Sequence, residues 1–307
     1  MEDERTPNGQ TTKTLSKNRQ YDYAVEGPRQ SQLWADRYLL FLQDVTAVFD
    51  GFKALDIGDL GIGHNELRVV VGPNGAGKTT MCDVISGMTQ PTTGQVWFNG
   101  EDITGQNESL IAQRGVGRKF QIPNVFDSLT VWENMLLALP APGHGIGSKE
   151  HKRMLDPRFS GPGGLAILRL IEACRTVGGK ATPEGRDQIH ALLTRVRLID
   201  DLNTEAKNLS HGQRQWLAIS SLILAKPRLL LVDEPAAGLT DSETALTAEL
   251  LLELKNDHTI VCIEHDMEFV RMLGSRVTVL DSGRVLAEGS LDEIAKDQRV
   301  IEAYLGR

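Results

Sequence analysis

Cysteine is scarce in this chain. Its 307 residues hold three, Cys82, Cys174 and Cys262, with no Cys-x-x-Cys pair among them. That count and spacing exclude a disulfide framework and a thiolate zinc site, and point to small reduced core residues in a cytosolic protein. Long apolar runs are missing too. No stretch approaches the roughly 18–20 apolar residues of a spanning helix, and the first residues lack the apolar block of a secretory signal. If the chain serves a membrane, it is expected to dock to other subunits rather than cross. A basic surplus is also absent: 33 Lys and Arg stand against 41 Asp and Glu, a net charge of −8. Nothing here favours wrapping of nucleic acid or adhesion to an anionic membrane. What remains is 40% hydrophobic and 24% charged residues, an ordinary globular balance at a length that can bury a sizeable core.

Residues 1–37 are polar, with only scattered apolar positions. Such a segment buries too little surface to offset its ordering entropy and reads as a disordered tail. A β-rich run follows from Tyr38 through Leu42 to Phe49, ending at the turn Asp50-Gly51. Leu67–Val71 reads as a second strand, Thr79–Met88 as a helix, and Gly94–Gly100 as a short strand with a tight turn. Ser128–Leu139 is helical in pattern, and Thr130 with Glu133 resembles a capping box. Residues 140–164 are dense in Gly and Pro and read as a long loop. Helical patterns return at 165–176, Arg186–Leu198 and Ser210–Ala225. A continuous apolar strand, Leu229–Val232, precedes a helix at Ser242–Lys255 and a buried strand at Thr259–Ile263. Fully apolar strands alternating with helices predict a parallel α/β sheet covered on both faces. The helical middle reads as a lobe inserted into that sheet, and there is no internal repeat.

The segment Gly72-Pro73-Asn74-Gly75-Ala76-Gly77-Lys78-Thr79 fits G-x-x-x-x-G-K-[ST] between a strand and a helix. Glycines let successive backbone N–H groups turn inward around phosphates, and the helix start adds its positive dipole end. Lys78 supplies a point charge to the outer phosphates. The Thr79 hydroxyl is a candidate Mg²⁺ ligand, and Thr80 continues the phosphate-binding set. A second constellation narrows the field. Leu229–Val232 runs into Asp233 and Glu234, which places Asp233 beside Mg²⁺ and Glu234 where it could polarise an attacking water. About twenty residues earlier stands Leu209-Ser210-His211-Gly212-Gln213. There a serine and the free N–H groups of a helix start offer a second anion cradle. Since the chain already has one cradle, this one is expected to serve a nucleotide held by a partner.

In their fixed order these motifs resemble the ABC ATPases, with His211 in place of the third-position glycine of their LSGGQ signature. The resemblance covers about residues 38–307. It implies a P-loop NTPase sheet core with an inserted α-helical subdomain, spanning about 122–225, and an antiparallel β subdomain. It matches Gln121 to the glutamine that contacts metal and water, His265 to the switch histidine at the γ-phosphate, and Phe49 to the aromatic that stacks on adenine. ATP and Mg²⁺ are the cofactors expected. One departure stands out. Most members carry an aspartate where Thr240 lies, so either Asp241 substitutes or the two sites communicate differently.

Within the superfamily, Gly117–Gln121 with Val125-Phe126, the run Glu234–Leu239 and Glu264–Met267 are similar to importers of the branched-chain amino acid and urea class. His211, Arg214–Leu217 and Val300–Arg307 are most similar to a urea transporter ATPase subunit. The resemblance implies a second, paralogous ATPase subunit in a heterodimer, two transmembrane permease subunits and an extracytoplasmic binding protein. It places the chain peripherally on the cytoplasmic face of the membrane. The alternatives are a branched-chain amino acid importer subunit and a non-transport ABC ATPase acting on nucleic acid or ribosomes. The latter usually carries coiled-coil insertions, zinc modules or fused cassettes, and none is present in this sequence.

Overall fold

A computed structural model describes residues 37–119, 125–139 and 182–305. Two sheets organise it. The first is antiparallel and contains β1 (Tyr38–Phe49), β2 (Phe52–Gly63), β4 (Thr93–Phe98) and β5 (Glu101–Asp102) in the order β2-β1-β4-β5. The second runs β10-β9-β3-β8-β7-β6, built from β3 (Leu67–Val71), β6 (Val116–Lys119), β7 (Leu229–Asp233), β8 (Thr259–Ile263), β9 (Arg276–Asp281) and β10 (Arg284–Gly289). Within it β6, β7, β8, β3 and β9 pair in parallel, and only β10 is antiparallel. The expected fold class, a parallel α/β core with an antiparallel sheet, is the one observed.

The central strands are buried along their whole length, so alternation sorts their side chains between two cores. Val70, Leu231 and Val261 point to one face. There they meet Leu40, Leu55 and Ile57 of the antiparallel sheet, and Met81 and Ile85 of α1 (Lys78–Ser86). Val69, Leu230, Ile260 and Cys262 point to the other face, against Trp216, Leu217, Leu251 and Phe269. Those side chains come from α5 (His211–Leu224), α6 (Asp241–Leu254) and α7 (Met267–Leu273). Full burial of each such side chain contributes about 1.5–3 kcal/mol, so a strand shifted by one residue would forfeit both cores at once.

Helix ends follow local chemistry more closely than the apolar pattern alone. α1 stops at Ser86, two residues short of expectation, because Gly87 adopts φ 78° and its N–H returns to the last turn. α3 (Val131–Ala138) starts with the expected Thr130–Glu133 capping box. α4 (Pro183–Arg195) begins three residues before the expected Arg186, since Thr182 accepts from Gly185 N and Pro183 fits the first helical position. α2 (Glu108–Arg114), α8 (Leu291–Ile294) and α9 (Gln298–Leu305) complete the described helices. α3 and α4 both pack on α5, forming the described part of the expected helical lobe. The expected tail, the 140–164 loop and the 165–176 helix lie outside the described residues, apart from Arg37. No described helix is long and apolar enough to cross a membrane. Cys82 and Cys262 are buried and free, and burial pushes the Cys82 thiol up to about 12.

One buried ion pair ties β3 to β10. The Arg68 guanidinium bonds Glu288 and Thr278, and both charged side chains are 1% exposed. Arg68→Met should destabilise the chain by about 3–5 kcal/mol, because Glu288 would lose its buried counter-charge. Adding Glu288→Leu should recover most of that loss. Urea unfolding of the two variants measures both effects.

Candidate active site

The chemistry gathers at one edge of the parallel sheet, where the C-terminal ends of β3, β6, β7 and β8 emerge together. The register brings them level: Val70 pairs with Ile263, Asp233 with Ile263, and Lys119 with Val232. Ligand sites of open α/β sheets form outside this carboxyl edge, where side chains meet loops instead of further strand.

The loop after β3 is held tightly. Gly72 leaves no room for a side chain, since a Cβ there would stand 2.2 Å from the Leu280 carbonyl oxygen. Gly77 has φ 96°, and its Cβ position is 2.6 Å from the Ala54 carbonyl oxygen. Bonds from Gly283 N to Ala76 O (3.0 Å) and from Asp56 N to Gly283 O (2.8 Å) lash the loop to the β9–β10 turn and to β2. Asn74 and Gly75 form its exposed crest, Pro73 is half-buried and Ala76 is buried. Lys78 Nζ donates to Gly72 O (2.7 Å) and Pro73 O (3.1 Å), folding back across the loop. Burial draws its ammonium below the usual lysine range, while Glu234 and Asp233 pull it back up. Thr79 is exposed at the start of α1, and Thr80 behind it is half-buried.

At the end of β7, Asp233 is 8% exposed and burial raises its carboxyl above the ordinary range, against the opposing pull of Arg118. Glu234 adopts φ 45°, a left-handed conformation that costs a non-glycine residue about 1–2 kcal/mol. Its N–H still donates to Ile263 O (3.0 Å), so the backbone turns out of the sheet without losing the last strand bond. The carboxylate lies 3.5 Å from His265 Nδ1, where the chain leaves β8. Phe49, 46% exposed, stands at the end of β1 opposite Phe52. Gln121 lies outside the described residues, although Arg118 pins β6 just before it by bonding Asp83 (2.6 Å) and Ser86 Oγ (2.9 Å).

Two charged residues beneath the site carry roles that the motif reading left unassigned. Glu264 is 1% exposed and accepts from Ala236 N (3.0 Å) and His265 N (3.1 Å), clasping the loops that follow β7 and β8. Burial raises its carboxyl, and the backbone donors act in the opposite sense. Lys119 is 2% exposed and donates to Asp233 O (3.1 Å). Burial pushes its ammonium down to about 8, although Asp233, Glu264 and Glu234 favour the charged form. In sequence the only signal for Glu264 is a charged residue at the mouth of an apolar strand, and Lys119, in Val116–Lys119, has none.

The signature residues form a separate cluster. Ser210 caps α5 in a reciprocal box: its Oγ accepts from Gln213 N (3.1 Å), and Gln213 Oε1 accepts from Ser210 N (2.9 Å). Leu209 is buried. His211 Nε2 is 3.2 Å from Gln215 Nε2, and its ring lies along Gly238 in the loop after β7. Gly212 abuts Glu243. Thr240 caps α6 in a box with Glu243, so the position where an aspartate was expected is a helix cap, and Asp241 is the first helical residue. The contacts of Ser210 run to Gln213 and Glu243, not to the loop at 72–79.

Comparison with known proteins decides the family. The ABC transporter family model matches residues 55–237. This chain belongs to the ABC transporter ATP-binding family. A second model, the branched-chain amino acid ATP-binding cassette transporter, matches residues 284–307. The chain is 35% identical over 270 residues to the high-affinity branched-chain amino acid transport ATP-binding protein LivG of Salmonella typhimurium, covering 87% of this chain and 98% of that protein. It is 34% identical to BraF of Pseudomonas aeruginosa, which has the same description, covering 88% and 98%. A crystal structure of a nucleotide-free ABC transporter cassette superposes with TM-score 0.67 at 26% identity, covering 88% of this chain and 99% of that one. A cassette in its ADP conformation superposes with TM-score 0.69 at 25% identity and the same coverage. The chain is thus an ABC-type ATPase subunit of the branched-chain amino acid importer class. The expected urea specificity has no counterpart among these relatives.

The donors present suit Mg²⁺. A threonine hydroxyl and an aspartate offer hard oxygen ligands, and this ion commonly takes only one or two protein groups beside phosphates and water.

The buried lysine has a measurable signature. With its pKa near 8 when folded and about 10.4 when unfolded, Lys119 binds fewer protons in the native state between those values. Stability should therefore rise with pH through that window, by about 2–3 kcal/mol in all. Lys119→Met should flatten the rise, which urea unfolding across pH 7.5–10.5 (about three pH units) would reveal.

Proposed function

We propose that this ATPase subunit drives import of branched-chain amino acids, hydrolysing ATP at a site completed by a second ATPase subunit. The observation that carries the substrate class is the match at residues 284–307, beyond the general cassette. Its described residues, 284–305, include β10, α8 and α9, and relatives of nearly full length have the same description. Urea is the second reading, carried by His211 in the signature, Arg214–Leu217 and the ending Val300–Arg307. The transported molecule is selected by other subunits, so growth separates the readings. Deletion of this gene should abolish growth on limiting leucine as nitrogen source and spare growth on urea; the reverse would favour urea.

In the proposed mechanism ATP lies along the loop at 72–79, with its adenine on Phe49. Lys78 exchanges its two carbonyl partners for β- and γ-phosphate oxygens, a trade its partial dehydration favours. Thr79, Asp233 and Gln121 would hold Mg²⁺, which would offset the charge of the phosphates. Glu234 orients and polarises the attacking water. His265, beside Glu234, reports on the γ-phosphate, and Glu264 passes its position to the loop at 235–240. Ser210 and the start of α5 meet the nucleotide held by the partner subunit. Closure of the two subunits then moves permease subunits docked on the helical lobe, with an extracytoplasmic binding protein delivering substrate. The chain would sit peripherally on the cytoplasmic membrane face, with its tail (1–37) outside the cassette.

Two substitutions separate binding from chemistry. Lys78→Ala should weaken ATP binding by about tenfold or more, through loss of charge-assisted bonds. Glu234→Gln should bind ATP normally yet lower turnover by about 10²–10⁴. Nucleotide titration with phosphate-release kinetics measures both, and full turnover in Glu234→Gln would exclude the role given to it.

A further inference from the structure

The signature cradle already contains an anion from its own chain. Ser210 Oγ donates to Glu243 Oε1 (3.3 Å), while Glu243 Oε2 accepts from Thr240 N (3.0 Å) and Thr240 Oγ1 (2.9 Å). One carboxylate therefore joins the N-terminal caps of α5 and α6. It also lies against the backbone of Gly212, where a Cβ would stand 2.5 Å from Oε1. The helix that carries it starts eight residues after Asp233 at the end of β7.

We propose that Glu243 is a positioning residue of the signature half-site, holding Ser210 in the free chain and opposing entry of the partner's nucleotide until closure draws Ser210 away. This rests on the reading that Ser210 serves a nucleotide bound by a second subunit. A helix start attracts anions through its unpaired N–H groups and dipole. At α5 that attraction is spent in part on the capping box and on Glu243. An arriving γ-phosphate meets a fixed like charge in the same cradle, and it must take the Ser210 hydroxyl from that charge. Because Glu243 also caps α6, releasing Ser210 leaves the carboxylate on Thr240 alone. The event is thereby transmitted to the loop leading back to Glu234. Thr240, where the family usually has an aspartate, serves here as the other end of that link.

Glutamine is the discriminating replacement. It supports the same capping geometry, as Gln213 does on α5, but removes the charge. The test uses the transporter complex recovered from detergent-solubilised membranes through a tag on this chain, with Mg-ATP titrated against phosphate release. Glu243→Gln should lower the half-saturating ATP about three- to tenfold at ~0.05 M salt. The gain should shrink towards nothing at ~0.5 M, as screening removes the repulsion. Glu243→Ala should lose the cap as well and unfold at lower urea. A purely structural role instead has both variants raise the half-saturating ATP with no salt dependence, and that result overturns the proposal. Ser210→Ala keeps the outcomes apart. If it impairs ATP use while Glu243→Gln changes nothing, the composite site stands and the role of Glu243 falls. If Ser210→Ala behaves as wild type, the composite site falls and takes the proposal with it.

Discussion

The parallel register of β3, β8, β7 and β6 is the constraint on which the rest of the molecule depends. Parallel pairing sends every strand the same way, so the loop at 72–79, the acids at 233–234 and the pair Glu264-His265 leave the sheet at one edge. The strands are wholly buried, and their alternate side chains feed two different cores. Sliding any strand by one residue would transpose those faces, which fixes the edge to within a residue. A site assembled from segments nearly two hundred residues apart thus inherits its precision from hydrophobic packing.

Charge at that edge is managed by burial. Asp233, Glu264, Lys78 and Lys119 all lie where dehydration disfavours their ionised forms. Asp233 favours the charged form of both lysines, and Lys119 favours that of Asp233 in return. The arrangement leaves the free chain with an ammonium resting on loop carbonyls and a carboxylate clasped by backbone N–H groups. The second cradle is handled differently: it is exposed, and a side-chain anion occupies it.

Much of this was legible in the sequence. The pattern of residues locates the strand–loop–helix at 67–86, the strand ending at Asp233 and the helix capped by Ser210, and the structure forms all three. Leu67–Val71 and Thr259–Ile263 were bounded to the residue, because a short apolar run closed by glycine or by charge leaves little freedom. Helix limits were less visible. Gly87 and Thr182 set them by capping chemistry that the apolar pattern does not register. Glu264 and Lys119 were seen only as parts of motifs, and Glu243 was not singled out. Their partners, Ala236, Asp233 and Ser210, lie 28, 114 and 33 residues away.

The sequence by itself determined the chemistry on offer: which residues can cradle phosphate, ligate a hard cation, move a proton or cap a helix. Such properties belong to side-chain type and to spacing within one or two turns of chain. Tertiary structure alone decided who answers whom. It set His265 beside Glu234, Lys119 under Asp233 and Glu243 across the caps of two helices. Those pairings arise from strand register and helix packing, and both are settled by burying apolar surface over the whole domain rather than by any local signal.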